Sequence, residues 1–340
     1  MKLKNFYFIF FSTIILLSSC ESNRWEADVS NIEADLNLKR FDLKLSELSS
    51  KPFNEEDWNE LQTEYPVFSR LYVEGIMQFG RSGEAESIYT FNRFLNDEDI
   101  NELLDEVKKQ YPQGSLKDLE KRLTDAFKLY KYHFPNRTIP ELRTFISAFT
   151  FSTVAADSLL GIGLDMYLGG DFELYPKIGI PQYKFKHFSK EYMHSDALKA
   201  WLMTEFETTG AKNLLEQMVE QGKILYLLNA FMSDTEDHIF MNYSKEELEW
   251  CESNEAEIWF HFIEMELLHT SDNNKIKKYL GDAPFVAGFP EGSPGRVGQW
   301  IGWQIVDAYM EKNKNVSLAQ LMKTQNADLI LQQSKYKPQR

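Results

Sequence analysis

The sequence is poor in cysteine and in positive charge, and each deficit excludes a class of protein. It has two cysteines, Cys20 and Cys251, whose surroundings differ and whose spacing suggests neither a disulfide scaffold nor a zinc knuckle. Its 37 basic residues stand against 52 acidic ones, which gives a net charge of -15. Such a chain would repel the phosphates of nucleic acid, so nucleic acid is excluded as a partner.

Long apolar runs are also scarce. The clearest apolar run is a short one near the N-terminus. Residues 6–17 follow Lys2 and Lys4 and are fewer than the roughly 20 apolar residues that span a bilayer. A charged start, an apolar centre and a small-residue end are typical of an export signal. The following Leu-Ser-Ser-Cys, which ends at Cys20, resembles the bacterial lipobox, whose cysteine is acylated and becomes the first mature residue.

The composition of the whole chain predicts a folded body. It is 43% hydrophobic and 26% charged, and it shows neither an interdomain linker nor an internal repeat. We therefore expect a signal peptide in residues 1–19, a lipidated tether in residues 20–28 and a single globular domain in residues 29–340. The acylated Cys20 would attach this body to the bilayer without a transmembrane helix.

Apolar periodicity predicts a predominantly helical α+β fold. The predicted strands are residues 32–39, 144–153 and 158–168, and the predicted early helices are residues 96–110 and 115–134. From residue 196 onward the pattern is almost entirely helical, with capping boxes that begin at Ser244 and Ser317. Because strands and helices segregate, we expect a small antiparallel sheet in the N-terminal half, packed by helices.

Common catalytic motifs are missing. The sequence has no H-E-x-x-H zinc motif, no G-x-S-x-G nucleophile elbow and no G-x-x-x-x-G-K-[ST] phosphate loop. It does have two E-x-x-H matches, Glu191 with His194 and Glu266 with His269. A spacing of three places both side chains on one helix face, as in carboxylate-bridged metal bundles. These four residues define an alternative hypothesis of a metal-dependent envelope hydrolase, against the simpler interpretation of local hydrogen bonds at helix ends.

Two segments are candidates for partner binding. Residues 292–298 combine a turn at Gly295 with Arg296 at a helix start, where free amides can bind an anion. The competing interpretation is structural: Gly298 and Gly302 let the helix approach a neighbour, and Trp300 and Trp303 fill the core. Residues 166–192 are rich in aromatic side chains and predict either a recognition loop or core cover. The candidate partner-binding residues are Tyr167, Tyr175, Tyr183, Gly295 and Arg296.

Several blocks of the chain together resemble one family, the gliding-motility lipoprotein GldB family of Bacteroidetes. They are the lipobox at Cys20 and residues 157–160, 164–169, 221–226, 254–259, 293–296, 302–306 and 334–338. The resemblance implies an envelope lipoprotein that works with the protein components of gliding and type IX secretion. It implies no cofactor and no enzymatic activity. The sequence is compatible with a lipid in either membrane leaflet, and we expect the body to face the periplasm.

A more remote likeness concerns the scaffold. The order of strands, helices and a glycine-containing helix is similar to that of predicted zinc proteases, which implies a degenerate zincin-like scaffold. Their zinc-binding helix would fall within residues 195–207 and a third ligand near Gln221, where this sequence offers no histidine pair.

Overall fold

Helices dominate the molecule. The computed structural model describes residues 24–206 and 210–338, and it is 56% helical. The α-helices of the described residues are α1 Phe41–Leu48, α2 Glu55–Glu64, α3 Phe68–Arg70, α4 Ala85–Leu95, α5 Glu98–Gln110, α6 Lys117–His133, α7 Met193–Glu205, α8 Leu214–Phe231, α9 Asp237–Met241, α10 Lys245–Ser253, α11 Glu255–Glu264, α12 Asn273–Leu280, α13 Val297–Lys312, α14 Leu318–Lys323 and α15 Ala327–Ser334.

A small sheet lies in the N-terminal half, as predicted. Its strands are β1 Lys39–Arg40, β2 Glu141–Phe145, β3 Thr153–Ala156 and β4 Leu159–Gly163, in the order β1-β2-β4-β3. The sheet is mixed, because β1 and β4 run parallel to β2 and only the β3–β4 pair is antiparallel. The expectation of an antiparallel sheet is therefore wrong for two of the three pairings, since apolar alternation specifies a strand but not its direction.

The first predicted strand is mostly absent from the sheet. Of residues 32–39, only Lys39 pairs within the ladder, although the Leu36 carbonyl accepts a hydrogen bond from the Leu142 amide at 2.7 Å. Asn37 lies between them with φ of 44°, in the left-handed region. That conformation is incompatible with a continuing strand, so alternation there does not produce one.

The early helices are confirmed to within two residues at each end. The first begins at Glu98 because Asp97 is its N-cap and accepts a hydrogen bond from the Ile100 amide at 3.2 Å. The capping boxes at Ser244 and Ser317 are also present, at the starts of α10 and α14.

Two glycines allow the packing of α8 against α13. A Cβ at Gly302 would lie 1.9 Å from the Met218 carbonyl oxygen, and a Cβ at Gly222 would lie 2.2 Å from the Gly302 oxygen. The predicted close approach of the Gly302 helix is thereby confirmed. Trp300 and Trp303 are buried along the same helix, also as predicted. Burial of each large apolar side chain stabilises the fold by about 1.5–3 kcal/mol.

The described N-terminal residues pack against this helical body. The Arg24 guanidinium donates to the Met310 and Val316 carbonyls at 2.6 and 3.2 Å. The Trp25 indole donates to the Tyr226 hydroxyl at 3.0 Å. The predicted signal peptide and Cys20 lie outside the described residues. Among the helices that the structure describes, none is both long and apolar enough to span a membrane.

Candidate functional site

A half-buried acid on α7 is the centre of a polar cluster. Asp196 accepts hydrogen bonds from the Tyr167 hydroxyl at 2.9 Å and from the Asn242 side-chain amide at 3.0 Å. Tyr167 lies in a 3-10 turn after β4, and Asn242 follows α9 with φ of 56°. Lys199 lies one turn after Asp196 on α7. We call Tyr167, Asp196, Lys199 and Asn242, together with the Arg296 guanidinium, the Asp196 cluster.

Burial changes the proton affinities in this cluster. It raises the pKa of Asp196 to about 6, although the Tyr167 hydrogen bond and the charges of Lys199 and Arg296 act in the opposite direction. Burial also lowers the pKa of Lys199 to about 8, assisted by repulsion from Arg296. The first half of α7 therefore carries an acid and an amine whose pKa values, about 6 and about 8, lie on either side of neutral pH.

Arg296 connects the cluster to the surface. It is the N-cap of α13 and has φ of 59°, a conformation that costs a residue with a Cβ about 1–2 kcal/mol. Its guanidinium donates to the Asn242 carbonyl, lies 5.4 Å from the Tyr243 ring centroid and places Nε 4.0 Å from Asp282 Oδ1. The contacts of the Arg296 side chain with Asn242, Tyr243 and Asp282 thus offset the strain of its backbone.

The adjacent Gly295 sets the path of this turn. A Cβ there would lie 2.5 Å from the Ala283 carbonyl oxygen, and the Gly295 carbonyl accepts a hydrogen bond from the Tyr243 hydroxyl at 2.7 Å. Glycine at this position is required by the neighbouring backbone, and Gly295 itself is buried.

At the surface, the Asp282 carboxylate contacts several side chains. Lys184 Nζ lies 3.2 Å from its Oδ2, and the Tyr183 hydroxyl donates to the same oxygen at 3.4 Å. Asp282 is 42% exposed and Lys184 39% exposed, so this polar arrangement is open to solvent. We call Tyr183, Lys184, Asp282 and Arg296 the Asp282 surface. It joins the aromatic-rich segment, the loop after α12 and the start of α13.

The structure separates the five predicted partner-binding residues into two groups. Tyr167 and Tyr175 are in the core, and Gly295 is buried as well. The Tyr175 hydroxyl donates to the Asp165 carbonyl at 2.9 Å and accepts from the Leu168 amide at 3.0 Å, so this part of the segment is core cover. Tyr183 and Arg296 are partly exposed and belong to the Asp282 surface.

The first E-x-x-H match is not on one helix face. Glu191 is exposed in a 3-10 turn, and His194 is buried in the first turn of α7, where its Nε2 lies 3.1 Å from Thr235 Oγ1. Burial lowers the pKa of His194 to about 4, so its imidazole is neutral near pH 7. Both residues line a cleft of about 660 Å³ together with Glu236 and His238.

The second match is not helical. α11 ends at Glu264, and Glu266 follows it with φ of 49°. His269 is exposed, with Nε2 3.8 Å from Asp328 Oδ1. The expectation that Glu266 and His269 share a helix face is therefore wrong, because the helix terminates before them. Within residues 24–206 and 210–338, no group of three or more histidine, cysteine, aspartate or glutamate side chains is arranged to bind a metal ion.

Sequence reasoning missed the centre of the cluster. Asp196, Lys199 and Asn242 belong to no motif, and Asp282 stands alone in its loop. A usable signal was present on α7, where Asp196 lies among the apolar side chains of Met193, Ala197 and Trp201. A charged residue on a buried helix face requires a partner, and such positions are often functional.

A family model described as gliding motility protein GldB matches residues 22–338, nearly the whole chain. The chain belongs to the GldB family of gliding motility proteins. A search of curated proteins and a search of solved structures found no match. In this GldB family chain the Asp196 cluster and the Asp282 surface both lie inside the matched range, and the resembling block at residues 293–296 contains the strained Arg296.

Proposed function

We propose that this chain is a lipid-anchored envelope protein that acts in gliding motility as a non-enzymatic docking component. Its lipid would be carried by Cys20, and its partners would be proteins of the gliding and type IX secretion apparatus. Family membership supports the process of gliding motility, and the lipobox supports the anchor. The body would face the periplasm.

One observation carries the docking role: a strained arginine fixes an exposed polar surface. Arg296 remains at φ of 59° while its guanidinium connects Asn242 to Asp282. Tyr183 and Lys184 contact the same carboxylate, so the side chains of the Asp282 surface restrain one another. An ordered surface loses less conformational entropy on association, which favours its use in docking.

The test replaces the exposed members of the Asp282 surface. The double variant Tyr183→Ala with Lys184→Ala should abolish colony spreading and co-purification of gliding-apparatus proteins, while the free energy of unfolding changes by less than about 1 kcal/mol. Lys121→Ala is the matched control, because Lys121 is an exposed lysine that forms an ion pair with Asp125 at 2.8 Å. Normal spreading and an unchanged set of partners in the double variant would contradict the docking role.

The alternative of a metal-dependent hydrolase is tested independently. It assigns the metal to Glu191, His194, Glu266 and His269. The first pair lines a cleft, and the second pair is exposed in a distant segment that follows α11. We expect the purified full-length protein to contain no stoichiometric zinc or iron by elemental analysis. One or two equivalents of metal that are lost in His194→Ala and in His269→Ala would favour the hydrolase instead.

A further inference from the structure

The N-terminal segment attaches to one particular end of the helical body. The Met310 carbonyl that accepts from Arg24 is in the last turn of α13, where carbonyls lack a helical donor and carry the negative end of the helix dipole. The Arg24 guanidinium also lies 4.1 Å from the Trp25 ring centroid, and Trp25 bonds to Tyr226 of α8. The backbone carbonyl of Trp25 lies 3.0 Å from His133 Nε2 at the end of α6.

The distance from this attachment to the lipidation site is short. Arg24 is four positions after Cys20, so their Cα atoms are at most about 14 Å apart. A globular chain of this length has a radius of gyration of about 20 Å, which makes the body about 50 Å across. If Cys20 is acylated, the end of the body that carries Arg24 must therefore stay close to the bilayer.

We propose that this end, defined by Arg24, Tyr132, His133 and Val316 and here called the anchor face, lies against the headgroups of the lipid bilayer. The inference rests on the lipid anchor of the proposed function. Tyr132 is 51% exposed and its ring centroid lies 5.0 Å from that of His133. An exposed tyrosine is favoured at a membrane interface, where its ring contacts lipid and its hydroxyl stays hydrated.

The same geometry places the Asp282 surface far from the anchor. α13 has 16 residues and so is about 24 Å long, with Met310 near one end and Arg296 at the other. Arg296 contacts Asp282 at the start of this helix. The anchor face and the Asp282 surface are thus about 20 Å apart along α13, so one can meet lipid while the other meets a protein partner.

The experiment compares two fluorescent labels on the acylated full-length protein. The variants Tyr132→Cys and Phe285→Cys place the label on the anchor face and beside the Asp282 surface, at positions that are 51% and 61% exposed. Cys251 does not compete for label, because it is fully buried and burial raises the pKa of its thiol well above the usual value. Lys314→Cys, two residues from Val316, is a second reporter of the anchor face.

Each labelled protein is reconstituted in vesicles of phosphatidylethanolamine and phosphatidylglycerol that contain a headgroup nitroxide lipid. We expect quenching at positions 132 and 314 to be several-fold greater than at position 285. Equal quenching at the three positions, or stronger quenching at position 285, would overturn the proposed orientation while leaving the lipid anchor intact.

Further variants test the role of Arg24 separately from that of the lipid anchor. Arg24→Ala should reduce the difference between the labels, whereas Arg81→Ala, an exposed arginine that pairs with Glu84, should retain it. A difference that is unchanged in Arg24→Ala would overturn the role given to Arg24. Cys20→Ser should lose vesicle association. If instead the wild-type protein carries no acyl group, both the lipid anchor and the orientation that depends on it are wrong.

Discussion

The α8–α13 contact is buried and the Asp196 cluster is half-buried, and the two depend on different interactions. At the contact, Gly222 and Gly302 bring two backbones together, and stability comes from close packing of apolar groups. In the cluster, Asp196 is surrounded by hydroxyl, amide and cationic groups whose desolvation opposes folding. The comparison indicates that apolar packing stabilises the helix pair, whereas the cluster depends on polar contacts that offset the cost of desolvation.

The largest expected effect is at the helix pair. Gly302→Ala places a methyl group within 1.9 Å of the Met218 carbonyl oxygen, so the two backbones must separate. We expect the free energy of unfolding in urea to fall by about 3 kcal/mol or more. Gly75→Ala is the control, because a Cβ there approaches only the flexible end of Leu71, at 3.1 Å. Similar stability for the two variants would mean that close backbone contact is not what holds α8 against α13.

The next effect concerns the charge at the centre of the cluster. Asp196→Ala leaves the Tyr167 hydroxyl and the Asn242 amide without their acceptor, and it removes a negative charge near Lys199 and Arg296. We expect a loss of about 3 kcal/mol in the free energy of unfolding, since each buried donor left without an acceptor costs about 1–3 kcal/mol. The exposed Asp125→Ala should change stability by less than about 0.5 kcal/mol. An Asp196→Ala protein as stable as wild type would show that the cluster is not coupled to folding.

Asp196 should also give stability a specific pH dependence. Its folded-state pKa of about 6 lies above the ordinary 3.8, so the folded state binds more protons between these values and stability falls as pH rises from 4 to 6. The lowered pKa of His194 acts in the opposite direction. The difference in unfolding free energy between wild type and Asp196→Asn removes this shared background. It should decrease by up to about 1.4 kcal/mol per pH unit over this range, and a constant difference would refute a raised pKa.

The smallest effect distinguishes backbone strain from side-chain contacts at Arg296. Both Arg296→Ala and Arg296→Gly remove the guanidinium, but only glycine adopts φ of 59° without a steric penalty. We expect the glycine variant to be more stable than the alanine variant by about 1 kcal/mol in thermal or urea unfolding. Both should lose partner capture, because Arg296 is part of the Asp282 surface. Equal stability would show that the turn relaxes when the guanidinium is absent.

Much of the local structure was predictable because it depends on neighbours in sequence. Apolar spacing predicted the helices near residues 98–110 and 117–133, and hydroxyl groups three residues before Glu247 and Gln320 marked two helix starts. Glycine and tryptophan along α13 also predicted a tightly packed helix. The direction of the strands was not predictable, because it depends on the edge of the sheet at which the chain re-enters after β2.

The candidate site was only partly predictable, because it is assembled from distant segments. Tyr183 and Arg296 were candidates, but their common partner Asp282 was not. Tyr167 was also a candidate, but it is buried and donates a hydrogen bond to Asp196. The two E-x-x-H matches show the limit of spacing arguments. One lies across a helix start and the other beyond a helix end, so neither presents its pair on a helix face.

By itself, then, the sequence determined the helical class, the family and the close packing of the glycine-containing helix, since apolar periodicity, ordered blocks and glycine placement are written along one chain. Only the tertiary structure decided which polar residues meet. Asp196 joins Tyr167 and Asn242 across 29 and 46 residues of chain, and the Arg24 and Arg296 contacts occupy opposite ends of one helix. The physical reason is that burial and charge act through distance in space, which the order of residues does not specify.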